Sequence, residues 1–165
     1  MNMPSMARDD IPKNCGIPNT ERARWISTLS LAEPALLEAH WSKLDPKPAF
    51  RWLRSAESGL VMLRGRAGGN GQAFNLGEMT ATRAVAVVEA PAPLTGFGYV
   101  AGRAKRHAEL AALFDALLQD EARRPGLWRD LIEPIEANRA AVRRARAAAV
   151  GATKVDFTTM VRGDD

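Results

Sequence analysis

Arginine and glycine are concentrated in residues 64–71, whose sequence is RGRAGGNG. Glycine lets a ligand or a partner backbone approach closely, and arginine makes bidentate contacts with phosphate and carboxylate groups. The stretch lacks the closing Gly-Lys-Ser/Thr of a phosphate-binding loop, and no helical pattern follows it. A flexible turn between two strands is the simpler interpretation, and it stays open beside the anion-binding one.

A second basic stretch lies at residues 102–109, where the sequence is GRAKRHAE. It coincides with the start of the clearest helical pattern, and cations in a first turn oppose the helix macrodipole by about 0.3–1 kcal/mol each. An anion at the free N–H groups of that turn would remove the conflict. Arg103 and His107 are four residues apart, so they are expected to share one face. A solvated basic face explains the same residues equally well.

Polar side chains continue on both sides of the glycine-rich turn, along the strands predicted to flank it. Together with the second basic stretch they give a set of predicted partner or phosphate contacts. These candidates are Arg64, Arg66, Gly68, Gly69, Gly71, Asn75, Glu78, Arg83, Arg103 and His107.

Residue types for catalysis or metal binding are scarce. The chain has one cysteine, Cys15, and two histidines, His40 and His107, which are too few for a structural zinc site made of Cys and His alone. The motifs G-x-S-x-G, S-x-x-K and H-E-x-x-H are absent from the sequence. The sequence therefore predicts no catalytic residue and no metal site in this chain.

Residues 96–101, GFGYVA, match two nucleotide-binding patterns in part. They match the spacing G-x-G-x-x-A of a dinucleotide-binding fingerprint, but no strand pattern precedes them and no helical pattern begins within them. With Thr95 and Gly102 they resemble the octamer of an RNA-recognition motif, without its first cation and its last aromatic residue. A strand of the core is the simpler interpretation. An RNA-binding module that stacks bases on Phe97 or Tyr99 is the alternative function.

Length and composition describe one ordinary domain with a modest basic excess. The chain has 165 residues, a net charge of +4 and a sequence pI of about 9.7. No stretch reaches 18 apolar residues and the first residues contain no apolar segment, so we expect neither a membrane span nor a secretory signal. A single cysteine excludes an internal disulfide, and a cytoplasmic location is the expected default. Charge alone leaves nucleic acid, an anionic metabolite and an acidic protein open as partners.

Helical patterns occupy both ends of the chain. Residues 21–30 and 34–44 predict a helical hairpin, which we expect to cover one face of a sheet. Residues 104–119 carry the strongest amphipathic pattern and predict the helix that packs on the sheet. Helical spacing returns over residues 127–150, where Pro134 interrupts or restarts the helix.

Extended patterns occupy the middle of the chain and its last residues. Strands are predicted at residues 50–54, 60–66, 78–88 and 97–101, and sequential hairpins imply an antiparallel sheet of about three or four strands. Residues 155–161 (VDFTTMV) alternate apolar and polar side chains and predict a strand with no local partner. Such a strand suggests docking onto another chain by strand addition.

The predicted fold is α+β. It begins with a helical hairpin, continues as an antiparallel sheet with a packed helix, and ends in a C-terminal helical arm with a terminal strand. Three regions follow from this order: a disordered lead-in at residues 1–19, an α+β core domain at 20–124, and a helical arm with a partner-docking tail at 125–165.

Three blocks of the sequence resemble the PhnG family, a subunit of the carbon–phosphorus lyase core complex. The blocks are ESGLVMLRGRAGGNGQAFNLGEMTATRAVAVV (residues 57–88), GYVAGRAKRHAELAALFDALLQ (98–119) and ATKVDFTTMVRGDD (152–165). They stand in the expected order, and the resemblance extends over roughly residues 20–165. The chain departs from the family pattern at Ala84, where a cysteine is expected, and at Ala104, where an acid is expected.

The resemblance implies an accessory subunit that assembles with PhnH-, PhnI- and PhnJ-like partners and takes part in alkylphosphonate degradation in the cytoplasm. With an ATP-binding-cassette-type component, the complex would support attack of a phosphonate on the ribose C1 of ATP, with loss of adenine. The product would be alpha-D-ribose 1-methylphosphonate 5-triphosphate. The nucleosidase chemistry would belong to the PhnI-like partner and the cleavage of the C–P bond to the PhnJ-like partner. The resemblance also implies that this chain alone binds no cofactor, that ATP is a substrate of the complex, and that nucleic acid is not a partner.

Overall fold

The computed structural model describes residues 19–66, 71–89 and 92–153, in which helices surround one antiparallel sheet. The elements are α1 (Asn19–Ser30), α2 (Pro34–Lys43), β1 (Phe50–Arg66), β2 (Ala73–Glu89), β3 (Pro93–Ala101), α3 (Lys105–Leu118), α4 (Arg124–Leu127) and α5 (Glu133–Gly151). A π-helical turn, Trp128–Ile132, joins α4 to α5. The α+β fold with its N-terminal helical hairpin is confirmed. The predicted lead-in, apart from Asn19, and the predicted terminal strand lie outside the described residues.

The sheet has three strands in the order β1-β2-β3, and each neighbouring pair is antiparallel. The prediction of separate strands at residues 50–54 and 60–66 is wrong, because both are parts of β1 that pair with β2. Register shifts near Arg54 absorb the polar residues between them, so β1 runs for 17 residues. Only residues 81–89 of β2 pair with β3, so β1 and β2 extend beyond the three-stranded part.

The body of the fold has three layers. Helix α3 packs across one face of the sheet, and the α1–α2 hairpin lies on the other side of α3, with a side contact from α1 to β3. The prediction that the hairpin covers a face of the sheet is therefore wrong. The reason is that α3 is buried nearly all round and needs neighbours on both sides. The apolar residues that predicted this helix are all buried: Leu110, Leu113, Phe114, Leu117 and Leu118.

Two glycines of β3 allow α3 to approach the sheet closely. A Cβ atom on Gly98 would lie 1.8 Å from the carbonyl oxygen of Ala108, and one on Gly96 would lie 1.9 Å from that of Ala112. A side chain at either position would collide with the helix backbone. The glycines of GFGYVA therefore serve helix–sheet packing. The prediction of a strand at this position is confirmed, and it is an edge strand of which one face lies in the core.

Asp115 of α3 is fully buried and joins three elements. Its Oδ1 accepts hydrogen bonds from Nε1 of Trp25 at 2.7 Å and from Nε of Arg22 at 3.2 Å. Its Oδ2 accepts from Nη2 of Arg22 at 2.8 Å and from the backbone N–H of Phe97 at 2.9 Å. Each carboxylate oxygen thus has two donors, and the group ties α1 and β3 to α3.

The same cluster closes the outer edge of β3. The carbonyl oxygen of Thr95 accepts hydrogen bonds from Nη2 of Arg22 at 3.0 Å and from Nε2 of Gln119 at 2.8 Å. An edge strand whose backbone groups are bonded to side chains is a poor template for another strand. The opposite edge, along β1, pairs with no other strand in the part of the chain that the structure describes.

The C-terminal helical segment is partly buried near its start and exposed toward its end. Apolar side chains of the π-helical turn and Ile135 are buried in the core. Pro134 lies in the first turn of α5, directly after the π-helical turn, and the chain is helical on both sides of it. From Ala141 onward every described residue is exposed.

The division into a core at 20–124 and an arm at 125–165 stays a prediction. None of the described helices is long and apolar enough to cross a membrane.

We expect Asp115→Ala to lower the free energy of unfolding by about 3 kcal/mol, because the buried donors and the Arg22 charge lose their acceptor. The control Asp130→Ala removes an exposed carboxylate and should change it by less than about 0.5 kcal/mol. Urea denaturation followed by tryptophan fluorescence measures both. Small and equal effects in the two variants would contradict the role given to Asp115.

Gly98→Ala is expected to lower the free energy of unfolding by about 3 kcal/mol, the upper end of the usual cost of overpacking, because the added methyl group overlaps the α3 backbone. Gly59→Ala is the matched control, since no atom lies within 4 Å of a Cβ atom there. Its effect should stay within about 1 kcal/mol. Thermal or urea denaturation separates the two outcomes, and a tolerated Gly98→Ala would show that α3 does not need this close approach.

Candidate functional site

The part of β1 and β2 that extends beyond β3 forms a two-stranded element, which we call the hairpin arm: residues 60–66 of β1 and 73–80 of β2. At about 3.3 Å per residue the arm is roughly 25 Å long. A two-stranded ribbon without a third strand or a covering helix is marginally stable in water. The turn that joins its strands contains the candidates Gly68 and Gly69, which lie outside the described residues.

Apolar side chains of the hairpin arm are exposed. Leu60 is 66% exposed and Leu76 is 62% exposed, and Met62, Leu63 and Phe74 are each exposed by at least 40%. Leu60 and Leu63 are three residues apart on one strand, so they lie on opposite faces of the ribbon. Folded monomers rarely leave apolar side chains together on a surface unless another molecule binds there. The arm therefore has the character of a surface that another chain covers.

Five of the predicted contact residues belong to the hairpin arm or to its turn: Arg64, Arg66, Gly71, Asn75 and Glu78. Arg64 lies opposite Asn75 in the β1–β2 register, and both are exposed. The Nη1 of Arg66 donates to the carbonyl oxygen of Gly71 at 3.1 Å, which joins the two described ends of the turn. These polar groups thus stand beside the exposed leucines, on the same element.

Arg83 lies where the hairpin arm meets the body, in an ion-pair cluster. Its Nε donates to Oε1 of Glu57 at 2.7 Å, and Arg54 donates to the same oxygen. The hydrogen bonds from Arg54 and Arg83 hold the pKa of Glu57 below its usual value. Tyr99 of β3 lies opposite Arg83 on the same face, and these side chains line a cleft of about 330 Å³. The cluster is open to water, so it adds little to stability and remains accessible.

Arg103 lies at the base of the hairpin arm and precedes α3. The backbone N–H of Gly102 donates to the carbonyl oxygen of Thr80 at 2.8 Å. Gly102 has a φ of +82°, a left-handed conformation that glycine adopts readily. This turn places the exposed Arg103 next to the end of the arm in β2, and α3 starts only at Lys105.

His107 lies in the core, away from the basic surface. It is 8% exposed, and its Nε2 is 2.8 Å from the carbonyl oxygen of Leu29 in α1. The imidazole N–H donates there and ties α3 to α1. The expectation that Arg103 and His107 share one face of the helix is therefore wrong, because Arg103 precedes the helix and His107 faces the α1–α2 hairpin.

The basic first turn of α3 is balanced by carboxylates of the chain itself. Arg106 donates to both carboxylate oxygens of Glu38, at 2.8 and 2.9 Å, and to Glu109 at 3.3 Å. The hydrogen bonds to Glu38 raise the pKa of Arg106, and in turn they lower the pKa of Glu38. The conflict of the Arg106 charge with the helix macrodipole is thus offset by carboxylates of the chain itself.

The contact residues predicted from the sequence are polar residues and glycines, and the exposed leucines of the hairpin arm are not among them. The apolar run that opens residues 60–66 is typical of a buried strand, so Leu60 was not expected to be exposed. One signal for their exposure was present in the sequence: Leu60 to Leu63 are apolar at consecutive positions, directly before Arg64 and Arg66. Neighbouring strand residues point to opposite faces, and a small domain seldom buries both faces of a ribbon.

We expect Arg54→Ala to raise the pKa of Glu57 toward the usual glutamate value of about 4.3, because one of the two hydrogen bonds to its carboxylate is lost. Arg51→Ala is the control and should leave it unchanged. Because folding lowers this pKa, the ion pairs stabilise the fold above the unfolded-state value and lose that effect as pH falls through the folded-state value. Carboxyl NMR titration measures the shift, and an unchanged Glu57 pKa in Arg54→Ala would contradict the pairing.

Comparison with known proteins assigns the chain to a family. The profile described as "Phosphonate metabolism protein PhnG" matches residues 20–163. A protein of Rhizobium meliloti (strain 1021), named alpha-D-ribose 1-methylphosphonate 5-triphosphate synthase subunit PhnG, is 41% identical over 145 residues, which are 88% of this chain and 91% of that protein. The hairpin arm, the sheet and every described helix except the first residue of α1 lie within the matched range. The chain belongs to the PhnG family of phosphonate metabolism proteins.

Proposed function

We propose that this chain is an accessory subunit of alpha-D-ribose 1-methylphosphonate 5-triphosphate synthase, the complex after which its relative is named. In this proposal it assembles with PhnH-, PhnI- and PhnJ-like subunits in the cytoplasm. The complex transfers a phosphonate to the ribose C1 of ATP, adenine leaves, and the ribose 1-phosphonate 5-triphosphate is formed. ATP is then a substrate of the assembled complex, and this chain alone binds no cofactor.

The hairpin arm is the observation that carries the proposal. Its five large apolar side chains are each exposed by 40% or more, on a ribbon that lacks a covering layer among the described residues. Burying the exposed half of these side chains against another chain would stabilise a complex by about 5 kcal/mol. An enzyme that works alone has no need of such a surface.

The histidines support a role without direct catalysis. His107 contacts the carbonyl oxygen of Leu29, and His40 has its ring nitrogens 3.0 Å from the carbonyl oxygens of Leu36 and Asp130. Both imidazoles are thus engaged in contacts between elements of the fold. Within residues 19–66, 71–89 and 92–153, no three His, Cys, Asp or Glu side chains form a group that could hold a metal ion.

RNA binding is a second candidate function, favoured by one observation. Phe97 and Tyr99 are each 48% exposed on the face of the sheet opposite α3, and the guanidinium of Arg22 lies 5.5 Å from the Phe97 ring centre. Exposed aromatic rings beside arginines can stack bases. Steeply salt-dependent RNA binding by the isolated chain, lost in Tyr99→Ala, would favour this function over the first.

We expect Leu60→Glu to reduce assembly with the other synthase subunits at least about tenfold, because a carboxylate would be buried in an apolar interface. The matched control is Leu31→Glu, since Leu31 is 55% exposed on the body and lies far from the hairpin arm in the chain. The tagged full-length chain is co-expressed with the PhnH-, PhnI- and PhnJ-like subunits of the same organism. The yield of co-purified complex is compared after size-exclusion chromatography.

Assembly of Leu60→Glu at the wild-type level would show that the hairpin arm is not the docking element. Failure of the wild-type chain to assemble with any of the three subunits would overturn the proposed function itself. Turnover of ATP and methylphosphonate by the purified chain alone would contradict an accessory role.

A further inference from the structure

The C-terminal part of α5 has a charge pattern that the hairpin arm does not share. Residues 137–153 contain four arginines, Arg139, Arg143, Arg144 and Arg146, and no lysine, aspartate or glutamate. The net charge of the whole chain is +4, so the rest of the chain is neutral overall. The basic excess of this protein is therefore located on one helix.

Three of these arginines form a row along one face of the helix, which we call the arginine row: Arg139, Arg143 and Arg146. They are spaced i, i+4 and i+7, and residues at this spacing are neighbours on a helix surface. In the part of the chain that the structure describes, none of the three forms an ion pair with a carboxylate. Arg139 is half-buried in a cleft with Glu136, whose carboxylate is already paired with Arg24, so Arg143 and Arg146 are the exposed members of the row. Like charges at this spacing repel each other, so the row opposes the folding of the isolated helix.

The base of α5 is held firmly, so the position of the arginine row is defined. Glu136 is paired with Arg24 of α1 and accepts a hydrogen bond from Thr28 at 3.2 Å. Arg24 also lies over the ring of Trp128, with its guanidinium 5.1 Å from the ring centre. The helix then continues beyond the body, and all its residues from Ala141 onward are exposed.

A strip of small apolar residues runs beside the arginine row. It consists of Val142, Ala145 and Ala149, and Val142 is 60% exposed. Alanine side chains let a partner backbone approach a helix closely, while arginines at the border reach outward to carboxylates. The strip and the row together are suited to a protein surface that is apolar in the centre and acidic at the margin.

We infer that the arginine row docks against an acidic surface of another subunit of the synthase, whose carboxylates neutralise Arg139, Arg143 and Arg146. The inference rests on the proposed function and adds to it a second contact, distinct from the hairpin arm. Charge complementarity favours an acidic partner. A second copy of the chain would bring the same basic helix, and the two helices would repel each other. Nucleic acid would not use the apolar strip.

The test compares two neighbouring charge reversals, Arg143→Glu in the arginine row and Arg144→Glu outside it. Each variant replaces a positive by a negative charge on the same helix, and the two substituted residues lie on different faces of that helix. The full-length variants and the complex of the PhnH-, PhnI- and PhnJ-like subunits are purified separately, and the affinity of the chain for that complex is measured by titration at low and high salt. We expect Arg143→Glu to weaken binding about tenfold or more, Arg144→Glu to weaken it less than threefold, and Arg143→Lys to restore most of the affinity.

Salt should weaken the wild-type interaction and have a smaller effect on Arg143→Glu, since the screened ion pairs are already lost. Equal affinity of Arg143→Glu and the wild type would overturn the inference while leaving the proposed function intact. If the wild-type chain itself does not bind the other subunits, the proposed function fails.

Three other results would also overturn the inference, because each identifies a different occupant. Self-association of the isolated chain that Arg143→Glu abolishes would identify a second copy. Binding of a poly(U) RNA that Arg143→Glu abolishes would identify nucleic acid. A lower urea midpoint for isolated Arg143→Glu than for Arg144→Glu would show that residues of this chain itself, such as the acidic residues 164–165, cover the row.

Discussion

The buried carboxylate of Asp115 is the constraint on which the body of this fold depends. A charge in the interior must be surrounded by donors, and these come from two other elements: Arg22 and Trp25 of α1, and the backbone of Phe97 in β3. The bonds set the distance of α1 and of the sheet edge from α3. Gly98 of β3 lets α3 lie close to the sheet, since a side chain at this position would collide with the α3 backbone. One polar centre thus holds together three layers that are otherwise packed by apolar side chains.

The two edges of the sheet differ in their hydrogen bonding. The outer edge of β3 is bonded to Asp115, Arg22 and Gln119, whereas β1 pairs with no further strand among the described residues. The hairpin arm and the end of α5 both reach beyond the body, and their side chains are exposed. A rigid body with two uncovered extensions of different chemistry, one apolar and one basic, is what a subunit of a larger assembly requires. Membership of the PhnG family agrees with this physical description.

Local periodicity was enough to predict α1, α2, α3 and α5, because their apolar or helix-favouring pattern is repeated over several turns, but it did not predict α4, which contains Pro125 and Gly126. It failed where distant residues decide the outcome. The two predicted strands at 50–54 and 60–66 are one strand because both pair with β2, and the helical hairpin packs on α3 because α3 is apolar on both sides. The arginines of the hairpin arm were selected from a local glycine-rich signal. Asp115 was missed, because an acid in a helix looks like part of a polar face, and its partner Arg22 is 93 residues away.

The central claim is that the hairpin arm and its free β1 edge are covered by another subunit in the working complex. Hydrogen–deuterium exchange of the full-length chain, alone and within the co-purified complex, tests it most directly, since amides on an unpaired edge exchange quickly. We expect amides in residues 60–66 to exchange at least about tenfold more slowly in the complex, while amides of α3 stay protected in both samples. Equal exchange of residues 60–66 in the free and assembled chain would contradict it.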